Sequence, residues 1–219
     1  KMNRDSVAAH AKKLEDEWLE SCRLSQVEVC RYRLVSARDF YSANAFSKSL
    51  LTFQELFSQI FDALKNGAKD RARLGAESAA ETEFCLAYTF PGSLGVVLTV
   101  KDEPNLIEGK FDRAVEAFHD VIGMDDEHDV RDTARALGNA VVKKVYDWAE
   151  ANYQNDLSVD VLWTSGAKGR KAGGYIDSSA FARYIDIINR TSDVEKTEVV
   201  VRGVLVAIDL KSDKFRIVD

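Results

Sequence analysis

Residues Ser42–Asn66 read SANAFSKSLLTFQELFSQIFDALKN, and the fold turns on them. Phe46, Leu50, Phe53, Phe57, Ile60 and Leu64 succeed one another mainly at three- and four-residue steps. That spacing puts them on one side of an α-helix. Leu51, Leu56 and Phe61 widen the stripe, so the helix belongs at the centre of a core rather than at its margin. Gly67 follows the last helical residue, where a glycine closes a helix without a Cβ penalty. The phenylalanines read as packing residues and not as a base-stacking platform, because their helical neighbours are apolar.

On either side of this helix the period changes. Phe84–Phe90 and Leu94–Val100 are β-prone runs around Pro91-Gly92-Ser93, a turn signal, so Thr82–Lys101 predicts a β-hairpin. Gln26–Val35 alternates, with Val27, Val29 and Arg31 against Cys30, Tyr32 and Leu34, and Leu157–Trp163 is a further strand. Helical spacing recurs in Ser6–Glu20, in Lys110–Ile122 and in Asp129–Ala151, which reads as one continuous helix. Ser178–Arg190 is a shorter helix with Ser178 as its cap. The polar, alanine-rich stretch Ala68–Ala80 either extends a helical hairpin or forms a loop. Strands and helices alternate too irregularly for a βαβ series. The expected fold class is α+β, an antiparallel sheet packed on several helices.

Beyond about residue 192 the pattern is β only. Thr197–Arg202 and Val204–Leu210 flank Gly203, Lys211–Lys214 is a turn, and Phe215–Val218 begins another strand. Residues 1–192 are therefore expected to form the main domain and residues 193–219 a C-terminal β module. The strand-like run up to Asp219 reads as a polypeptide that continues.

The chain has 219 residues, 46% of them hydrophobic and 30% charged, with a net charge of -6. This is the balance of a folded protein. The acidic total disfavours whole-surface attraction to nucleic acid or to an anionic membrane. No apolar run approaches the roughly 20 residues of a membrane-spanning helix. Three cysteines, Cys22, Cys30 and Cys85, are an odd number without a Cys-x-x-Cys, which points to unpaired thiols and a cytoplasmic location. Cys30 and Cys85 lie in apolar runs and are expected to be buried. His119 and His128 flank the acidic stretch Asp120–Asp129, which matches no zinc spacing and reads as an acidic helix start. No metal or cofactor site is expected.

The most unusual stretch is the expected loop Ser165–Gly174. Lys168, Arg170 and Lys171 stand there among four glycines, between a strand and a helix. Backbone amides and a helix N-terminus can hold phosphate, so this loop is the candidate polyanion site. It matches neither G-x-x-x-x-G-K-[ST] nor G-x-G-x-x-G. Asp209 and Lys211, with Glu198 on the preceding run, have the spacing of some metal-dependent phosphodiesterases and nucleases, but three common residues carry little specificity. Gly92-Ser93-Leu94-Gly95 is not a nucleophile elbow, and no catalytic residue is assigned.

The pattern Phe46-x-x-Ser49-Leu50-x-x-Phe53-Gln54-x-Leu56-Phe57, followed by Pro91-Gly92-Ser93-Leu94, resembles a group of uncharacterised bacterial proteins with such a helix and a later P-G-S-[FL] strand. The resemblance spans roughly residues 40–165 and implies a bacterial cytoplasmic protein without an assigned activity. The function expected is thus a non-enzymatic binding or assembly module that meets a protein partner or a second copy of itself. The alternatives are a nucleic-acid-associated protein using Lys168, Arg170 and Lys171, and a metal-dependent phosphodiesterase using Asp209 and Lys211.

Overall fold

The computed structural model describes residues 4–25, 27–36, 41–90, 94–100, 110–164, 171–192, 203–209 and 214–218. In chain order these form α1 (Arg4–Leu24), β1 (Glu28–Ser36), α2 (Ala43–Asn66), α3 (Ala76–Glu81), β2 (Phe84–Phe90), β3 (Leu94–Val100), α4 (Lys110–Ile122), α5 (Glu127–Leu137), α6 (Asn139–Tyr153), β4 (Leu157–Thr164), β5 (Lys171–Ile176), α7 (Ser178–Ser192), β6 (Val204–Asp209) and β7 (Lys214–Val218). The first five strands make one sheet in the order β2-β3-β1-β4-β5. Each neighbouring pair is antiparallel. The fold is α+β. β6 and β7 pair with each other as a separate two-stranded sheet.

One face of the large sheet carries the core. Cys30, Tyr32 and Leu34 of β1, Val96 and Leu98 of β3, and Val159, Val161 and Trp163 of β4 point to α2, α4, α6 and α7. Phe53 of α2 sits at the centre, its ring 4.6 Å from Tyr32, 5.3 Å from Phe84 and 5.5 Å from Phe118. Phe57 stacks on Trp163 at 4.8 Å. Several polar groups inside this core pair with one another, while Trp163 Nε1 and Gln59 Nε2 are buried without a partner among the described residues. Tyr32 Oη lies 2.7 Å from Ser49 Oγ, which donates to Asn152 Oδ1 at 2.6 Å, and Trp148 Nε1 donates to Tyr32 Oη at 3.1 Å.

Helix α2 begins at Ser42, whose hydroxyl accepts from Ala45 N, and ends at Gly67 with φ +90°. From Leu56 to Ala63 every residue is buried, including Ser58, Gln59 and Asp62, so here the helix is enclosed on all sides. The cover comes from residues 68–82. Asp62 takes Lys69, Asn66 and Ser78; Ser58 Oγ lies 2.6 Å from Thr82 Oγ1; Gln54 Nε2 donates to Thr82 O at 2.7 Å. Burial opposes ionisation of Asp62, but the hydrogen bonds from Lys69, Asn66 and Ser78 outweigh it and hold the carboxyl below its ordinary range. The stripe is narrower than expected at its rim, where Leu51 and Leu64 are exposed.

Three local expectations are corrected. Asp129–Ala151 is two helices, because the chain turns at Gly138 with φ +92°, a conformation nearly confined to glycine. A Cβ at Gly138 would also strike the Lys69 backbone, whose carbonyl accepts from Ala140 N at 2.9 Å. The cap of α7 is Asp177 and not Ser178: its carboxylate accepts from Ala180 N at 2.8 Å. Residues Lys171–Gly174 belong to a strand rather than a loop, so β4 leads into a hairpin partner before α7. Gly173 makes this possible, since a Cβ there would collide with the Val161 carbonyl and come within 2.8 Å of Leu162 Cα.

Candidate functional site

The second face of the same sheet is only half covered. α1 lies across it, packing Cys22, Trp18 and Leu19 on Val29, Val97 and Tyr88. Beside α1 a concavity of about 350 Å³ opens on the sheet, lined by Arg31, Arg33, Phe90, Asp160, Leu162, Gly173 and Tyr175 among others. The strand period of two places these side chains together. In register across the sheet runs one row, Phe90, Gly95, Arg33, Asp160 and Tyr175. The next row is Tyr88, Val97, Arg31, Leu162 and Gly173.

Each row has a physical logic. Gly95 leaves room for the Phe90 ring, which a Cβ there would strike, and the Arg31 guanidinium sits over that ring at 4.7 Å. Arg31 also pairs with Glu15 of α1 at 3.4 Å, and Tyr88 Oη donates to the same carboxylate at 3.4 Å. Burial, and then the Glu15 charge, push Tyr88 up to about 12, with Arg31 opposing. Arg33 Nη2 bonds Asp160 at 2.7 Å. Its Nε is buried and has no hydrogen-bond partner. Tyr175, at the far end of that row, is 58% exposed.

The lining residues offer guanidinium donors, aromatic faces and one carboxylate already paired with Arg33. The two guanidinium groups suit an oxyanion acceptor, because their planar forks present several N–H donors at once. A second concavity of about 230 Å³ lies between α4, β5 and α7. There Arg183 pairs with Asp125 at 2.8 Å and Tyr184 Oη donates to Ile122 O. Among the described residues no group of three His, Cys, Asp or Glu side chains converges on a point.

The expected polyanion site is not brought to this face in the described residues. Lys168 and Arg170 lie outside them, and Lys171 is described only as the backbone residue that opens β5 opposite Thr164. For the nuclease constellation, Asp209 ends β6 opposite Lys214, while Lys211 and Glu198 lie outside the described residues. Asp126 caps α5 by accepting from His128 N at 2.7 Å and Asp129 N at 3.0 Å, so the acidic stretch acts as a helix start. All three cysteines are free; Cys22 and Cys30 are buried, but Cys85 is exposed, against expectation, because it lies on the edge strand. What the sequence reading missed was Arg31 and Arg33. Their signal was the alternation itself, which sets two cations two residues apart on the face opposite Tyr32. No family model, no curated protein and no solved structure matches the chain.

Proposed function

We propose that the protein is a non-enzymatic binding module of the cytoplasm and that its open sheet face takes an acidic segment of a protein partner. The observation that carries this reading is Arg33, whose side chain lines the concavity and stays 43% exposed beside its ion pair with Asp160. A hydrogen bond to a charged group contributes about 1.5–3 kcal/mol, and an incoming carboxylate can form one with this guanidinium. Arg31 stands two residues away on the same strand, and Leu162, Phe90 and Tyr175 give apolar surface beside the cations. Guanidinium groups suit carboxylates because their fork can bond both oxygens. A cytoplasmic location is supported by three unpaired thiols.

Fluorescence anisotropy with short labelled peptides tests it. Peptides in which Glu or Asp flanks Leu are expected to bind, and Gln or Asn counterparts to bind at least about tenfold more weakly, a difference of about 1.4 kcal/mol. The double substitution Arg31→Ala/Arg33→Ala should remove the preference while the far-ultraviolet dichroism is unchanged. Equal binding of acidic and amide peptides overturns the reading. If a single-stranded oligonucleotide binds instead, and Lys168→Ala/Arg170→Ala/Lys171→Ala abolishes that binding, the nucleic-acid function takes its place.

A further inference from the structure

The two ends of the large sheet are built differently. β5, at one edge, begins with Lys171 and contains Gly173 and Gly174, which offer no side chain to a neighbour. Ile122 of α4 also stands over it, 3.4 Å from where a Cβ of Gly174 would be. β2, at the other edge, reads Phe-Cys-Leu-Ala-Tyr-Thr-Phe, seven residues without a charge or a proline. The amide of Phe84 is taken by Gln54 Oε1 at 2.7 Å. Beyond it Cys85, Leu86, Ala87 and Thr89 are all exposed, and Leu86 is 62% accessible although it stands opposite the core residue Leu98. The helical layer therefore stops short of this edge.

An outer strand presents a row of unpaired backbone groups, and proteins that keep such edges apart charge them, shorten them or bend them. Here no residue of the strand is charged, and a bulge between Leu86 and Tyr88 is the one such device the strand carries. We propose that β2 pairs antiparallel with β2 of a second copy of this chain about a two-fold axis. The second copy is the occupant that the strand fits best, since two identical uncharged runs never place like charges opposite one another, whatever the register. Leu86 of each copy is then covered by the other. Antiparallel pairing about that axis continues the sheet into ten strands and leaves both helical layers on one side, with both Arg31 faces on the other. The contact is one strand wide and shortened by the bulge, well below the roughly 1,200–2,000 Å² of a stable interface, so the dimer is weak and concentration-dependent.

Sedimentation velocity from about 1 to about 300 μM, the range in which an interface of this size associates, is the first measurement. The wild type should shift from monomer to dimer, and Leu86→Lys should stay monomeric with an unchanged melting curve. Should Leu86→Lys fail to fold, Thr89→Lys, also on an exposed edge position, replaces it. Cys85 is exposed while Cys22 and Cys30 are buried, so a nitroxide can be placed on it selectively. Pairing through β2 brings the two labels within about 25 Å, given roughly 3.3 Å per residue and 4.8 Å between strands. A monomer throughout the range, an edge variant that dimerises like the wild type, or a longer label distance in the dimer each overturns the proposal. The outcome is separate from peptide binding, because neither Leu86 nor Thr89 lines the Arg31–Arg33 concavity.

Discussion

Successive residues of β1 face two different environments. Tyr32 looks into a closed layer in which its hydroxyl, Ser49, Trp148 and Asn152 satisfy one another at full burial. Arg31 and Arg33, on either side of it, look onto a face where α1 covers one half and a concavity occupies the other. The first face is closed polar chemistry inside apolar packing, and it holds the fold. The second carries two arginines beside a concavity, and it is the face proposed for partner binding. A mutation at a given depth of the same strand should therefore have opposite signatures on the two faces: stability on one, binding on the other.

The largest expected effect breaks the closed layer. Phe57→Ala removes a fully buried ring that stacks on Trp163 and packs near Phe84 and Phe111. It should cost about 3–5 kcal/mol, read as a lower urea midpoint at an unchanged slope. An unchanged midpoint would show that the layer does not carry the fold.

The comparison sharpens on neighbouring residues. Tyr32→Phe keeps the ring but leaves Trp148 Nε1 without its acceptor, and should cost about 1–3 kcal/mol. Arg33→Ala removes a half-exposed ion pair with Asp160 at 2.7 Å and should change stability by about 0.5 kcal/mol or less. Equal denaturation midpoints for the two variants would erase the distinction between the faces.

The smallest effect concerns α1. Tyr88 is raised to about 12, chiefly by burial and then by Glu15. A phenol raised on folding contributes stability that is complete below the ordinary value of about 10 and is lost as pH rises through about 12. Glu15→Gln should lower the midpoint of the tyrosinate ultraviolet absorbance part of the way, since burial remains. An unmoved midpoint would detach Glu15 from the open face.

Much of this fold is visible as periodicity. α2, α4 and the hairpin strands β2 and β3 coincide with the expected segments because their patterns are local: three- and four-residue steps for the helices and β-prone runs for the hairpin strands. The misreadings have non-local causes. Gly138 lies inside a run of helical spacing, and the break comes from the Lys69 segment crossing it. Residues 68–82 are polar and gave no period, yet they are ordered by Asp62, Ser58 and Gln54, which a helix pattern shows only as polar gaps. Cys85 sits in an apolar run like Cys30, but one is in the edge strand and the other in the central one. The candidate site was hidden for a similar reason. The basic loop drew notice because its cations are contiguous, while Arg31 and Arg33 are separated by a buried tyrosine.

The sequence by itself determined the class of the fold and most of its elements, because hydrophobic spacing is a property of each segment alone. It also set which residues of β1 share a face, because a strand has a period of two. Only the tertiary structure decided which strands are neighbours and which lie at an edge. It alone showed which face α1 leaves open and that Asp160, Leu162 and Tyr175 stand in register with the two arginines. Those are relations between segments as far as 142 positions apart, from Arg33 to Tyr175. They are settled by shared burial and strand pairing, which no single segment encodes.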